Sequence, residues 1–387
     1  MNKKTFFRVL TYALANDSTF SLGIFLIYML SLGYTIFQAS FGIAAWLIAQ
    51  SIGGIITGIF ADRYGYKNSM IWGTCIFLSG TICLAAGFSF PLILLGFFLR
   101  GLGFSTKQGS VGAHVYETLK EKNYEEIFKK TIGTMDFYIN ISWIILSILG
   151  GFLFVVHTRF PFYAEIILSL ACLLSIIGLK EIRTAQKHDS IKKQIVENIN
   201  YAFKTTQFSK VFFFSALIGS IALITIQYLQ PLYRALHIPD SFFGILAAAS
   251  FLTRGAGSWH SEQLGKLFSI DKYLVLHAIT FGLFLLLIEK AHVIILVLPI
   301  VGVFYFLRGL YGPTISTYIN DKVPSDKRAS MLGLNNQILS IATAIVLIGT
   351  GYIAQAFGLS AAFFSISIIS MTFLFAYIIS VRTVATD

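Results

Sequence analysis

Long runs without a charged residue or a histidine constrain the fold of this chain more than any other feature. Residues 18–61 form one such run, and residues 68–99 and 329–381 form two more. A helix needs about 20 apolar residues to cross a ~30 Å hydrocarbon core, so each run holds more than one crossing. Only 12% of the 387 residues are charged, which is about half the usual share in a soluble domain. The sequence therefore predicts an integral membrane protein.

The membrane-crossing segments are predicted to be helices. Strands of a membrane β-barrel alternate apolar and polar residues over about ten positions, and the apolar run at residues 347–380 shows no such alternation. The fold class is therefore all-α, with two six-helix bundles predicted at residues 1–180 and 209–387 and a cytoplasmic linker at residues 181–208. The twelve predicted spans are residues 8–30, 37–60, 68–88, 91–113, 131–156, 161–180, 209–231, 241–261, 272–288, 293–317, 329–355 and 360–381.

The charge balance is strongly basic, since 29 Lys and Arg against 18 Asp and Glu give a net charge of +11. When the twelve spans are placed, nearly all basic residues between them fall on one side, and the other side holds only Arg159, Arg234 and Lys290. This asymmetry is the positive-inside pattern, and it places both termini in the cytoplasm. The basicity thus indicates membrane topology and argues against a nucleic-acid partner.

The two predicted bundles share a repeated sequence. The segment PLILLGFFLRGLGFS begins at Pro91, and PIVGVFYFLRGLYGP begins at Pro299. Each continues from its proline to an Arg-Gly-Leu triplet, at Arg100 in the first half and Arg308 in the second. Repeats of this kind indicate two structural units of common design.

A short polar segment, GIFADRYGYK at residues 58–67, resembles the loop signature Gly-x-x-x-Asp-Arg-x-Gly-Arg-Lys of the major facilitator superfamily. Tyr66 departs from the signature, where that family usually has arginine. The motif around Arg100 and the sequence before the eleventh span, VPSDKRASMLGL, are also similar to motifs of this family. The signature positions that match are Gly58, Asp62, Arg63, Gly65 and Lys67.

The resemblance implies a monomeric transporter in which two six-helix halves rock around a central site, with a small-molecule substrate and no cofactor. It also implies that residues 58–67 latch the first half to the eleventh helix when the cytoplasmic side is closed. A short solvated loop is the simpler alternative for the same residues. The sequence shows no grouping of histidine, cysteine and carboxylate at metal-ligand or catalytic spacing, so an enzyme is not expected.

Ionisable residues inside spans are costly, and by default they face the interior of the bundle or a water-filled cavity. Asp17 and Arg100 each lie nine residues into a predicted span, about 13 Å deep. We therefore predict a charge relay in the first half from Asp17, Arg100 and Asp136, in which Asp17 takes up a proton. A static ion pair that braces two helices is the alternative. Glu165 is interpreted as a boundary charge near the outer face.

In the second half, Arg254 and Arg308 lie in the eighth and tenth spans without an acidic residue nearby in their own helices. Two such arginines favour a substrate with an anionic group. Alternatively, Arg308 braces two helices as the repeat-related Arg100 would. The predicted cavity residues are these two arginines and the polar Gln227, Tyr228, Asn335 and Asn336.

Proton-coupled efflux of a drug-like or metabolite-like compound across a bacterial cytoplasmic membrane is the function that the sequence favours. Drug exporters of the family often carry Gly-Pro-x-x-Gly-Gly in the fifth helix. This chain keeps Gly150 and Gly151 but has Leu146 and Ser147 at the Gly-Pro positions. Proton-coupled uptake of an organic anion therefore stays open, and a non-transporting membrane sensor is the alternative of another class.

Overall fold

The computed structural model describes residues 10–11, 19–21, 23–121, 124–179, 181, 191–203, 206–290, 294–324 and 327–382. These residues form helices and short connections, and no β-strand occurs among them. The α-helices are α1 (Phe25–Ser31), α2 (Ile36–Tyr64), α3 (Tyr66–Ala86), α4 (Phe90–Lys120), α5 (Phe128–Val156), α6 (Phe160–Ile177), α7 (Ile191–Ala202), α8 (Thr206–Ala235), α9 (Phe243–Gly265), α10 (Ile270–Lys290), α11 (Ile294–Lys322), α12 (Arg328–Phe357) and α13 (Leu359–Arg382).

Ten of the described helices are long and apolar enough to cross a membrane. They are α2 to α6, α8 and α10 to α13, which confirms an all-α integral membrane fold. Of the predicted first span, residues 8–30, the structure describes residues 10–11, 19–21 and 23–30, and the end of the span belongs to α1. The predicted eighth span does form a helix, α9, but glycines, serines and the charged Arg254 and Glu262 make its composition too polar for that set.

The chain divides into two compact units. Unit 1 comprises Met1–Gly33, Gly42–His188 and Pro239–Ala248, and unit 2 comprises Tyr34–Phe41, Asp189–Ile238 and Ala249–Asp387. The division at residues 180 and 209 remains a prediction. Within the predicted linker, α7 forms a helix with Val196 and Ile199 exposed.

Close helix packing in unit 1 depends on small residues. Helix α3 packs against α4 and α6, and α3 meets α4 where Gly80 faces Gly96. A Cβ atom at Gly80 would lie 2.6 Å from the backbone nitrogen of Arg100 and 2.7 Å from the carbonyl oxygen of Gly96. The absence of a side chain at Gly80 therefore sets the distance between the two helices and positions Arg100.

We expect Gly80→Ala to destabilise the protein by about 1–3 kcal/mol, because backbone atoms of α4 must shift to make room for the added methyl group. Gly112→Ala is the matched control, since a Cβ atom at Gly112 meets no atom within 4 Å. The control variant should be neutral or slightly more stable, because alanine favours a helix over glycine. Denaturation of the two purified variants in detergent measures the difference, and equal stabilities would contradict this account of the packing.

Candidate functional site

A buried ion pair lies at the centre of unit 1. The Nη1 atom of Arg100 on α4 donates a hydrogen bond to Oε2 of Glu165 on α6. The side chains are only 2% and 1% exposed, respectively. A buried charge is tolerated only with a partner of opposite charge and further hydrogen bonds, so the residues around this pair decide whether it is stable.

Ser21 adds three hydrogen bonds to the pair, while the buried Nε atom of Arg100 has no partner among the described residues. The backbone nitrogen of Ser21 and its hydroxyl group donate to Oε1 of Glu165, at 2.8 and 2.6 Å. The same hydroxyl accepts from Nη2 of Arg100 at 3.2 Å, and Thr81 Oγ1 lies 3.4 Å from Nη1. Both oxygens of the carboxylate are therefore engaged, and Ser21 links the acid to the base.

Aromatic rings surround the guanidinium group of Arg100. Its central carbon lies 4.6 Å from the ring centre of Phe77, 5.1 Å from that of Phe25 and 5.9 Å from that of Phe162. Ring faces attract the cation, and they also keep water away. The ion pair is therefore held in a low-dielectric environment, where the electrostatic interaction between charges is strong.

Glu165 is a partner of Arg100 that the sequence did not predict. Asp17, the predicted partner, lies outside the described residues, so its pairing with Arg100 stays a prediction. The interpretation of Glu165 as a boundary charge is wrong, because α6 turns this side chain inward to the guanidinium group. The sequence contained a signal for this inward-facing position, since Glu165 is the only charged residue between positions 160 and 179.

The third member of the predicted relay, Asp136, lies on α5 as a largely exposed side chain. A role for Asp136 in proton transfer remains a prediction.

The signature segment ends one helix and begins the next. Helix α2 continues through Asp62 and Arg63 to Tyr64, so these two residues belong to its last turn rather than to a loop. Gly65 then adopts φ 87°, a conformation that favours glycine, and α3 begins at Tyr66. The side chains of Asp62 and Arg63 and the surroundings of Gly58 lie outside what the structure describes. The latch to the eleventh helix stays a prediction.

Residues at the end of the sixth predicted span and just after it form hydrogen bonds with the start of α3. Glu181 accepts hydrogen bonds from the backbone nitrogens of Lys67 and Asn68, both at 3.1 Å. The Lys67 ammonium group donates to the carbonyl oxygen of Ile177 at 3.0 Å. Glu181 therefore supplies the N-terminal cap that Gly65 lacks and places a negative charge at the positive end of the helix.

The second half contains a weaker copy of the signature segment at residues 58–67. In this copy, Glu262 corresponds to Asp62. Glu262 lies beyond the predicted end of the eighth span and is exposed. The Lys266 ammonium group donates to its carboxylate at 2.7 Å and holds the pKa of Glu262 below its usual value. Such an exposed pair one helical turn apart contributes little to stability.

Gly150 and Gly151, which remain from the exporter motif, both lie at close backbone contacts within unit 1. The carbonyl group of Phe20 occupies the space where a side chain at Gly150 would begin. A Cβ atom at Gly151 would lie 2.8 Å from the backbone nitrogen of Gly244. The two glycines thus allow α5 to contact two other segments of the unit closely.

Arg254 and Arg308 lie close together in unit 2. They interact electrostatically with each other and with the phenol of Tyr305. The Nε atom of Arg308 is buried and has no hydrogen-bond partner within the described part of the chain. The structure thus brings together the two arginines that the sequence analysis assigned to a cavity.

The four polar residues predicted to line a cavity have different environments. Tyr228 is fully buried, with its hydroxyl group 3.1 Å from that of Thr350 and 3.3 Å from that of Ser40. Asn335 is buried and donates to the carbonyl oxygen of Phe212 at 2.8 Å. Both side chains therefore brace helices of unit 2 in this conformation.

The other two predicted cavity residues are more accessible. Gln227 is partly buried and Asn336 is exposed. A substrate contact for any of these four polar residues remains a prediction.

Comparison with protein families agrees with the signature segment and the paired helix motifs. The model described as Major Facilitator Superfamily matches residues 9–305, and a second match covers residues 211–386. The chain belongs to the major facilitator superfamily. It is therefore a multi-pass membrane transporter, and the family and the curated relatives are transporters rather than enzymes.

Curated relatives include bacterial transporters of the same superfamily. The chain is 26% identical over 310 residues to Multidrug resistance protein 1 of Bacillus subtilis, covering 77% of this chain and 76% of the relative. It is 24% identical over 331 residues to the Quinolone resistance protein NorA of Staphylococcus aureus, covering 82% and 81%. An uncharacterized MFS-type transporter of Bacillus subtilis, YxaM, is 24% identical over 363 residues, covering 89% and 88%.

Solved structures share the fold. The nucleoside transporter NupG matches with a TM-score of 0.82 and 14% identity, covering 99% of this chain and all of that chain. A D-xylose–proton symporter matches with a TM-score of 0.72 and 13% identity, covering 97% and 95%. These similarities show the superfamily fold.

Proposed function

We propose that the protein is a proton-coupled exporter of small drug-like or metabolite-like compounds. It would work by alternating access as a monomer in a bacterial cytoplasmic membrane, with both termini in the cytoplasm and without a cofactor. The buried network of Ser21, Arg100 and Glu165 is the observation that carries this proposal. It supports proton coupling because, among the described residues, it holds a carboxylate against a cation in a dry site.

The physical basis of coupling is the exchange of partners at Glu165. While Glu165 is ionised, it binds Arg100 and the two donors of Ser21. A proton on Glu165 removes the charge that compensates Arg100, and the guanidinium group then gains free energy by moving toward water or another acid. Proton binding thereby favours a different arrangement of α4 and α6, which is what a coupled transporter requires.

Export is favoured by the relatives, two of which are named for multidrug resistance and quinolone resistance. The closely packed glycines of α5, which remain from the exporter motif, support the same direction. Uptake of an organic anion is the second candidate, and it is supported by the neighbouring Arg254 and Arg308 in unit 2.

Transport into inverted membrane vesicles tests the proposal. When the vesicle lumen is acidified, a fluoroquinolone or another fluorescent drug-like compound should accumulate inside, and a protonophore should release it. Vesicles without the protein are the control. The proposal would be contradicted if no cationic, neutral or anionic compound of a test panel moved in a gradient-dependent way. Gradient-driven movement of an anion in the opposite direction, out of the vesicle lumen, would favour the alternative of uptake.

A further inference from the structure

Two helices of unit 2 are held in direct contact by glycines. The carbonyl group of Phe306 on α11 occupies the space beside Gly257 on α9, and the carbonyl group of Arg254 occupies the space beside Gly309. Ser258 Oγ donates to the carbonyl oxygen of Gly309 at 2.9 Å. Each arginine lies within one helical turn of this contact, which explains why two cations are held close together in a membrane-embedded unit.

Nothing in the described part of unit 2 neutralises Arg308. Among the described residues no carboxylate forms an ion pair with Arg308, and its buried Nε atom has no hydrogen-bond partner. Its other neighbours include the phenol groups of Tyr305 and Tyr311. The hydroxyl group of Tyr311 donates to the carbonyl oxygen of Ser215. The phenol groups are neutral, so they do not compensate the charge.

In unit 1, the charge of the corresponding arginine is neutralised. The repeat-related Arg100 has a carboxylate partner, Glu165, on the sixth helix of its half. The sixth helix of the second half, α13, contains no acidic residue. The bracing role expected for Arg308 by analogy with Arg100 therefore lacks an acid on the corresponding helix.

We propose that Arg308, with Arg254 as a second cation, binds an oxyanion group of the transported compound, a carboxylate or a phosphate. This inference rests on the proposed transport function and narrows it to a substrate class, organic anions or zwitterions. A guanidinium group binds such oxyanions with two parallel hydrogen bonds. The nearby Tyr305 and Tyr311 give the site an apolar and aromatic wall, so an aromatic acid fits it better than an inorganic ion does.

Direct binding to the purified full-length protein in detergent tests this site. The probes are benzoate, phenyl phosphate and benzenesulfonate, with the neutral isostere benzamide as the comparison, measured by calorimetric titration. We expect at least one anion to bind and benzamide not to bind. Arg308→Gln should weaken anion binding by about tenfold or more, since it removes a charge-assisted hydrogen-bonding partner.

Two further variants keep the test decisive. Lys266→Gln removes an exposed cation just after the end of α9, the helix that carries Arg254, and should leave the affinity unchanged. Arg308→Lys keeps the positive charge but loses the two parallel hydrogen-bond donors of the guanidinium group, so it should also weaken anion binding. This variant serves as the test if Arg308→Gln does not fold. The inference would be overturned by equal binding of benzoate and benzamide, by no binding of any anion, or by unchanged affinity in both Arg308 variants.

Binding in detergent needs no gradient, which separates the two proposals. Gradient-driven transport without anion binding would overturn the substrate class and leave the exporter proposal intact. Anion binding without gradient-driven transport would count against the exporter proposal and support the oxyanion site by itself.

Discussion

Arg100→Met is expected to destabilise the protein by about 3–5 kcal/mol, because it leaves the carboxylate of Glu165 buried without its cation. Methionine fills much of the same volume, so the loss is electrostatic rather than a cavity effect. The free energy of unfolding of the purified protein in detergent is the measurement. Lys120→Met is the matched control, since Lys120 lies exposed at the end of the same helix and should change stability by less than about 0.5 kcal/mol.

The double variant Arg100→Met, Glu165→Gln identifies the cause of the lost stability. Removing both charges leaves a neutral amide with the donors of Ser21, so the double variant should be more stable than Arg100→Met alone. Additive losses in the two single variants would show that Arg100 and Glu165 do not interact in the folded protein and would contradict the ion pair.

Glu165→Gln is expected to abolish gradient-driven transport while the protein folds and still exchanges substrate. Glutamine keeps the shape of the side chain and an oxygen that accepts from Ser21, but it does not titrate. The measurement compares accumulation driven by a pH gradient with exchange of labelled substrate at equal pH on both sides. We expect accumulation to fall to the level of protein-free vesicles, while exchange remains.

Two carboxylates serve as comparisons for Glu165. Glu262→Gln removes an exposed carboxylate that pairs with Lys266 in the described part of the chain, and this variant should transport like the unmodified protein. Asp17→Asn tests the relay predicted from the sequence, since Asp17 was expected to carry the proton. Full gradient-driven accumulation by Glu165→Gln, together with loss in Asp17→Asn, would assign the proton to Asp17 instead.

The helices were predictable because charge-free runs mark the segments that the hydrocarbon core accepts. Their ends were less predictable, since hydropathy marks the edge of the membrane and not the end of a helix. The second predicted span ends at residue 60, while α2 continues to Tyr64. Its last turn holds the charged Asp62 and Arg63, which a helix tolerates once it has left the hydrocarbon.

The candidate site was predictable in its residue types and less so in its pairings. Arg100 was identified because a charge deep in a span is costly. Its partner was not, because depth along the chain does not show which helix faces which, and α6 brings Glu165 to Arg100 from a position near the start of its own helix. The cap that Glu181 gives to Lys67 also depends on packing between segments distant in sequence.

The central claim is that proton movement and substrate movement are coupled through the network of Ser21, Arg100 and Glu165. Simultaneous recording of both fluxes in proteoliposomes tests it most directly. An exported compound is added on one side at equal pH, and a pH indicator reports the lumen. We predict a lumenal pH change that accompanies entry of the compound and is lost in Glu165→Gln. Entry of the compound without any pH change would contradict the account.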